Sequence, residues 1–421
     1  MTMTSPQKRQ RTVVVVGAGI VGMSAARYLQ RDGAQVTVLD PLALGRGASF
    51  GNAGGIAVSE VTPLALPGIM RRVPGWLMDP LGPLAIRWSY LPRLAPWLWR
   101  FWRASARERV EAAADALAGL LAHVYDDYEP LLAEAGIRDI LRRQGCISLY
   151  ESEGALRHDA LAWELKRARG VRIEHLGPEE LRQMEPDIAP IFKAGMFVPD
   201  WGHVADPHRV VLGIAESFQR LGGTIKEARA MAFEIAAEGP RALRTESGER
   251  IAFDQLVIAA GAWSGKLAKP LGSRVPLETE RGYHTTLPRP NVTVNRMLHS
   301  AEGGFVLTPM AMGLRLSGTV ELGGLELPPN YARARILATR AKRLLPRLNA
   351  EGGTEWMGFR PSLPDSLPVI SRSPHFANLF YAFGHGHLGL TEGPTTGRII
   401  ACLAGGRDPG LDLKPFRVDR F

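Results

Sequence analysis

A run of four valines ending in a glycine turn constrains this chain more than any other feature. Val13 to Val16 is β-branched and apolar throughout, the pattern of a parallel strand buried on both faces, and GAGIVG follows at once. Gly17 permits the tight turn out of the strand, Gly19 lets the backbone approach a pyrophosphate with no Cβ in the way, and Gly22 lets the next helix pack close to the sheet. Ala18, Ile20 and Val21 complete the turn and open the helix, whose free N–H groups would face the phosphates. A second strand, QVTVLD, ends in Asp40, where a carboxylate can accept hydrogen bonds from ribose hydroxyls. Strand, turn, helix and acid together read as a grip for an adenine dinucleotide. An acid at that place repels a 2′-phosphate, so FAD or NAD is expected rather than NADP; the motif alone leaves those two open.

With 421 residues and 45% apolar content, the chain has enough core for two or three domains. The opening MTMTSPQKRQ is polar and holds no apolar signal segment, so a cytoplasmic protein is expected. Cys146 and Cys402 form no metal-ligand spacing and read as buried thiols in a reducing compartment. No histidine pair has helical ligand spacing either, and no metal is expected. The net charge of +9 is spread over helices rather than gathered in a basic arm, which argues against a nucleic-acid partner and leaves anionic lipid or small anions. No apolar run is long enough to cross a bilayer.

After Asp40 comes a loop, PLALGRGASFGNAGGIAVSE, whose glycines suit close wrapping of a flat ligand. Residues 63–103 are rich in Pro and carry Trp76, Trp88, Trp97, Trp99 and Trp102. Their end reads as a helix with Leu98, Phe101 and Trp102 on one face and Arg100, Arg103 and Arg107 on the other. A peripheral membrane contact and docking onto the protein's own surface are both compatible with that face. Helical periodicity continues from Arg107 to Gly136, then a strand-like GCISLYE and a helix to Gly170. Asp206 and Pro207 start a helix that runs to Leu221, and FDQLVIAAGAWS offers a second doubly buried strand whose glycine turn should lie beside the first. Between Pro276 and Glu321 the pattern is antiparallel, with a covering helix over Tyr331 to Leu348. A strand and glycine-histidine turn, NLFYAFGHGH, then opens a last helix.

The motifs GAGIVG, GASFGNAGGI, GHVADP, IAAGAWS, GFRPSLPDSLPVI and YAFGHGHLGL, in that order, resemble the D-amino acid oxidase and dehydrogenase superfamily of flavoproteins over nearly the whole chain. GNAGG, the Pro and Trp segment and GHGHLGLT look most like its bacterial D-amino acid dehydrogenase branch, and LRLSGTVELGGLELPPN is reminiscent of members acting on D-hydroxyproline and D-proline. The resemblance implies an α/β fold: a glutathione-reductase-like FAD-binding Rossmann domain with a discontinuous antiparallel-sheet (α+β) substrate domain. The FAD domain would comprise residues 12–58, 206–266 and 356–410, and the substrate domain 59–205 and 267–355.

It also implies non-covalent FAD in an extended conformation, because neither the histidine near Asn52 nor the later cysteine of covalent relatives is present. ADP would lie at Gly17, Gly19, Gly22 and Asp40, with backbone near Ala230 at the adenine and Ala260, Gly261 and Trp263 beside the ribityl or pyrophosphate. The flavin ring would be held by Ser49, Asn52, Gly54, Gly55 and Ile56 and by Gly384, Gly386, His387, Gly389, Leu390 and Thr391, with a helix N-terminus aimed at the ring edge that becomes negative on reduction. In the chemistry so implied, the Cα hydrogen of a D-amino acid passes as hydride to flavin N5, leaving an imino acid. Arg360 in GFRP matches the family's carboxylate-binding arginine, whose planar fork suits two oxygens. Arg315 is a second candidate, Tyr283 could close over the carboxylate or ring, and His385 or His387 could bond near the ring edge. His203 and His284 could face the substrate, although single histidines are more often structural.

The leading expectation is an FAD-dependent D-amino acid dehydrogenase that passes electrons to a quinone or another non-oxygen partner, peripheral on the inner membrane face. A glycine or sarcosine type amine oxidase using oxygen, a non-catalytic flavin carrier or sensor, and a non-flavin NAD dehydrogenase are the alternatives.

Overall fold

The structure, a computed structural model, describes residues 10–79 and 81–421, so the polar start lies outside it except for Gln10. The valine strand Thr12–Val16 occupies the centre of a six-stranded sheet, because it has no polar face to offer water. Gln35–Asp40 and Thr224–Glu227 lie on one side of it and Gln255–Ile258, Leu379–Phe383 and Val369–Arg372 on the other. All neighbours are parallel except the last pair. The strand register puts Gly17 and Ala259 side by side, so the two glycine turns meet as expected: the Ala259 N–H bonds the Val16 carbonyl at 2.8 Å. Asp206 caps the helix Pro207–Arg220 by accepting the His208 and Arg209 N–H groups.

The first helix, Ile20–Arg31, packs on the closing helix, Gly389–Ala404, at a separation that only small residues allow. A Cβ at Gly397 would sit 2.6 Å from the Ser24 carbonyl carbon, and one at Gly393 3.0 Å from Ile20. The helices Arg107–Leu121 and Val124–Ala135 belong to the same layer. Their Leu117, Leu121, Tyr128 and Leu131 enter the core formed by Val13, Met23, Ile214 and Ile400. These two helices fall within the expected 59–205 segment and pack on the nucleotide sheet, because an apolar helix pair needs a second layer.

The second sheet has nine strands and is mixed rather than purely antiparallel. Glu278–Leu287, Gly313–Leu322 and Phe305–Met310 form the expected meander, flanked by Thr354–Ser362. Met297–Ser300 runs parallel to Cys146–Tyr150, which joins Ala194–Val198 and Glu174–Leu176, and Leu84–Ile86 runs parallel to Gly313–Leu322. The covering helix is Ala332–Leu344.

The tryptophan helix Leu91–Ala104 is rotated relative to the expected face. Leu94 and Trp97 are buried with Leu98 and Phe101 against them, whereas Trp99 and Trp102 are more than half exposed, and Arg107 begins the next helix. The inward stripe is therefore 94, 97, 98 and 101, a better helical repeat than 98, 101 and 102. No helix among the described residues is long and apolar enough to cross a membrane.

Candidate active site

Between the two sheets lies a cavity of about 1280 Å³. That exceeds the roughly 300–1,000 Å³ of ordinary small-molecule sites and suits a dinucleotide with a small substrate. At one end its wall is built by Gly17, Gly19, Ile20, Val21 and Asp40, with Ala230 beside them, since the Ala228 N–H bonds the Asp40 carbonyl. Gly17 has φ +115°, and a Cβ on it would meet the Ala259 carbonyl oxygen at 2.2 Å. A Cβ on Gly22 would meet the Gly17 oxygen at 1.9 Å. These glycines are thus sterically required for the cradle, and the residues fit a bound dinucleotide.

Several of the expected contact residues lie just behind the cavity wall and support it. The Ala18 N–H donates to Asp40 Oδ2 (2.8 Å) and the Leu42 N–H to Oδ1 (2.9 Å), so the acid also orders its own turn. Ala18 and Gly22 do not reach the wall. Gly54 is packed behind it against Met310 and the Val204 carbonyl. Ile56 pairs with Gly202 and turns its fully buried side chain into the nucleotide-side core. Gly384 turns the chain at φ +88°, where a Cβ would strike Leu363 at 2.4 Å. Each is a small or apolar residue that a folding constraint alone explains.

The middle of the cavity is lined by Ser49, Asn52, Gly55, Ala260, Gly261 and Trp263. Ser49 Oγ accepts the Ile20 N–H at 3.0 Å. Gly19, the N-cap, has no side chain to do this, so a serine 29 residues away caps the helix in its place. Asn52 Oδ1 accepts the Gly54 N–H at 2.8 Å and shapes the glycine loop.

At the far end, Gly386, His387, Gly389, Leu390 and Thr391 present the N-terminus of the closing helix to the cavity. Thr391 Oγ1 accepts the Ala57 N–H (3.0 Å), and the Pro361 carbonyl accepts the Gly386 N–H (2.7 Å), which brings Arg360 beside this turn. The Arg360 side chain makes no hydrogen bond or ion pair among the described residues, and its guanidinium lies over the Cα of Gly282. Burial lowers its pKa, opposed by the charge of Glu280, whose Oε1 accepts from Ser362 Oγ at 2.6 Å. A desolvated, unpaired cation facing a cavity calls for an anion.

His387 lines the cavity with its side chain exposed to it, and the protein packed around it, with Arg360 adding to the effect, lowers its pKa and favours the neutral ring. Burial holds His385 near a pKa of about 3, and its Nε2 meets Thr396 Oγ1 at 2.9 Å. His284 and His203 are off the wall and also depressed by burial, to about 3 and about 4. His284 Nδ1 donates to the Gly51 carbonyl and its ring stacks on Trp356.

Two expected substrate residues are placed differently. Arg315 does not reach the cavity: Nη1 donates to the Asn52 carbonyl (2.7 Å) and Nε to Thr286 Oγ1 (3.2 Å), so it holds the glycine loop onto the second sheet. Tyr283 lies on the wall, but its hydroxyl is engaged, donating to Glu321 Oε2 (2.6 Å) and accepting from the Asn330 N–H (3.0 Å). Burial pushes that phenol up to about 12. Glu60, Lys166, Glu280 and Trp356 also line the cavity and escape the sequence patterns. The one local signal for them is the Trp163 and Lys166 pair on a single helical face.

Among the described residues no cluster of histidine, cysteine or acid could hold a metal. Residues 12–403 match the profile of the DAO family, described as FAD dependent oxidoreductase. A D-amino-acid oxidase of Bradyrhizobium diazoefficiens is 40% identical, over 98% of this chain and 99% of its own. A D-amino acid dehydrogenase of Paramagnetospirillum magneticum is 31% identical, over 97% and 98%. Among solved structures, L-proline dehydrogenase from P. horikoshii superposes with a TM-score of 0.75 at 20% identity, covering 98% of both chains.

Proposed function

The chain belongs to the DAO family of FAD dependent oxidoreductases, and from that premise we propose that it oxidises a D-amino acid held by Arg360 at the far end of the cavity. The observation that carries this reading is the unpartnered Arg360 guanidinium beside the N-terminus of the closing helix. A carboxylate would complete its hydrogen bonding and place Cα beside the same turn. When bound, FAD would supply the two-electron acceptor for the hydride that leaves Cα.

The protein's own residues do the rest. Gly17, Gly19 and Asp40 hold the nucleotide end, and Ser49 fixes the helix that faces it. The substrate ammonium must release a proton to water before its lone pair can assist loss of the Cα hydrogen, and His387, kept neutral by burial, offers a hydrogen-bonding ring beside it without adding a second positive charge. The imino acid that results is hydrolysed by water to a 2-keto acid and ammonia; a cyclic substrate such as D-proline or D-hydroxyproline would instead give a cyclic imine. On this reading residues 12–58, 206–266 and 356–410 form the FAD-holding unit, with the helices of residues 107–135 added to it.

We further propose that the electrons leave to a quinone at a membrane surface. Exposed Trp88, Trp99, Trp102 and Met78 lie close in sequence to Arg93, Arg100 and Arg103, and the helix Leu91–Ala104 has no acid. Such a face suits an anionic lipid interface. Oxygen as acceptor is the second reading, and the 40% identical relative, named an oxidase, favours it. Turnover of a panel of D- and L-amino acids with a dye acceptor, followed as 2-keto acid or cyclic imine, tests the first proposal: D-selective product is expected, and none from any amino acid overturns it. Peroxide formed in air at the rate of product would assign oxygen.

A further inference from the structure

Beyond Arg360 and His387 the same cavity continues into a polar recess that the reaction does not use. Its centre is the pair Lys166 and Glu60, with Nζ to Oε2 at 2.8 Å and side chains only 10% and 19% exposed. Lys166 lies 4.8 Å from the Trp163 ring centre and 6.0 Å from that of Trp201. Both indoles are fixed: Trp163 Nε1 donates to the Tyr150 hydroxyl (2.8 Å), and Trp201 Nε1 donates to Ser59 Oγ (2.7 Å). Glu60 is tied to the reaction end by its own turn, since its N–H bonds the Ala57 carbonyl and the Ala57 N–H bonds Thr391 Oγ1. Glu60, Lys166, Arg360 and His387 all line the same cavity.

Only Glu60 Oε2 is engaged by Lys166; Oε1 has no partner among the described residues, and the ammonium has donors beyond the one it gives to Glu60. The pair therefore offers a donor and an acceptor side by side and is neutral in itself, while the neighbouring Asp159 accepts from the Tyr150 hydroxyl. An aliphatic side chain would strip water from both and return nothing, and a charged one would meet a like charge. A hydroxyl or carboxamide, which both accepts and donates, satisfies the two together. We infer that Glu60 and Lys166, between Trp163 and Trp201, form the side-chain subsite and select amino acids with a neutral hydrogen-bonding side chain over aliphatic and charged ones. This inference rests on the carboxylate being anchored at Arg360.

Three substrates of nearly equal shape test it: D-asparagine, D-leucine and D-aspartate, with D-alanine as reference. Wild-type holoenzyme should use D-asparagine with a kcat/KM about tenfold or more above the other two. In the doubly neutral variant Glu60→Gln, Lys166→Met, the ratio of D-asparagine to D-leucine should collapse to about one or invert. Equal or better use of D-leucine by the wild type overturns the subsite, and so does an undiminished ratio in the variant. If that variant fails to retain flavin, the wild-type ranking decides alone. Turnover of D-alanine without the ranking refutes this inference only, whereas no turnover of any amino acid, D-alanine included, refutes the reading beneath it.

Discussion

Arg315 donates from Nη1 to the carbonyl of Asn52 at 2.7 Å, although 263 residues separate the two in the chain. The bond joins the glycine loop of the nucleotide side to the second sheet, and burial lowers the guanidinium pKa to about 10 without removing its charge at neutral pH. Arg315→Met should leave the Asn52 carbonyl unpaired at a cost of about 1–3 kcal/mol. Thermal unfolding and flavin retained through gel filtration should both fall, with half-saturation by substrate in the loaded fraction little changed. A raised KM with unaltered melting and retention would instead return Arg315 to substrate binding.

The pH dependence of stability has a signature in Glu392. It is buried in the first turn of the closing helix, and neither carboxyl oxygen has a hydrogen-bond partner among the described residues. Burial raises its pKa from 4.5 to about 8. The folded protein keeps this proton where the unfolded chain has lost it, so the group's contribution is full below pH 4.5 and is lost as pH rises towards about 8. Comparing wild type with Glu392→Gln by denaturant unfolding across that window, the wild type should lose ground by on the order of a few kcal/mol. A difference independent of pH would show that the carboxyl is ionised in the fold.

Much of this architecture could be read directly from residues whose local pattern has one physical solution. The valine strand, Gly17 and Gly22, Asp206 and the 256–259 strand all fall in that class. What escaped depends on contacts between distant segments. Nothing near Ser49 announces that its hydroxyl will cap a helix begun 29 residues earlier, and an arginine in LRLSG looks the same whether it faces a substrate or a carbonyl. Arg360 and Arg315 illustrate the difference: both are withdrawn from bulk water on the second sheet, but only Arg315 is satisfied by the protein. In the tryptophan helix almost every residue is apolar, aromatic or basic, so periodicity alone leaves its inward face loosely defined and the structure turns Trp102 outward.

That rotation buries Trp97 in the protein's own core and leaves Trp99 and Trp102 exposed, where the proposed lipid contact would need them. Sedimentation with anionic vesicles should capture the wild type, and Trp99→Ala with Trp102→Ala should weaken capture at least about tenfold without lowering dye-linked turnover. Added salt should weaken it too, since the arginines contribute through screened charge. No wild-type capture at low salt would end the membrane reading.

Arg360→Met tests the carboxylate anchor against a structural role. Loss of a charge-assisted pair should raise half-saturation by D-amino acid about tenfold or more, with flavin content retained. Arg360→Lys, which keeps charge but not the planar fork, should fall between the two. Equal loss of flavin and substrate binding in both variants would mark Arg360 as structural.

The most direct measurement is a single anaerobic turnover: the flavin-loaded wild type is mixed with each enantiomer of alanine, asparagine and proline while the oxidised flavin band is followed. Rapid, saturable bleaching by at least one D enantiomer is expected, with far slower bleaching by its L partner. A flavin that stays oxidised with every amino acid would contradict the proposed reaction.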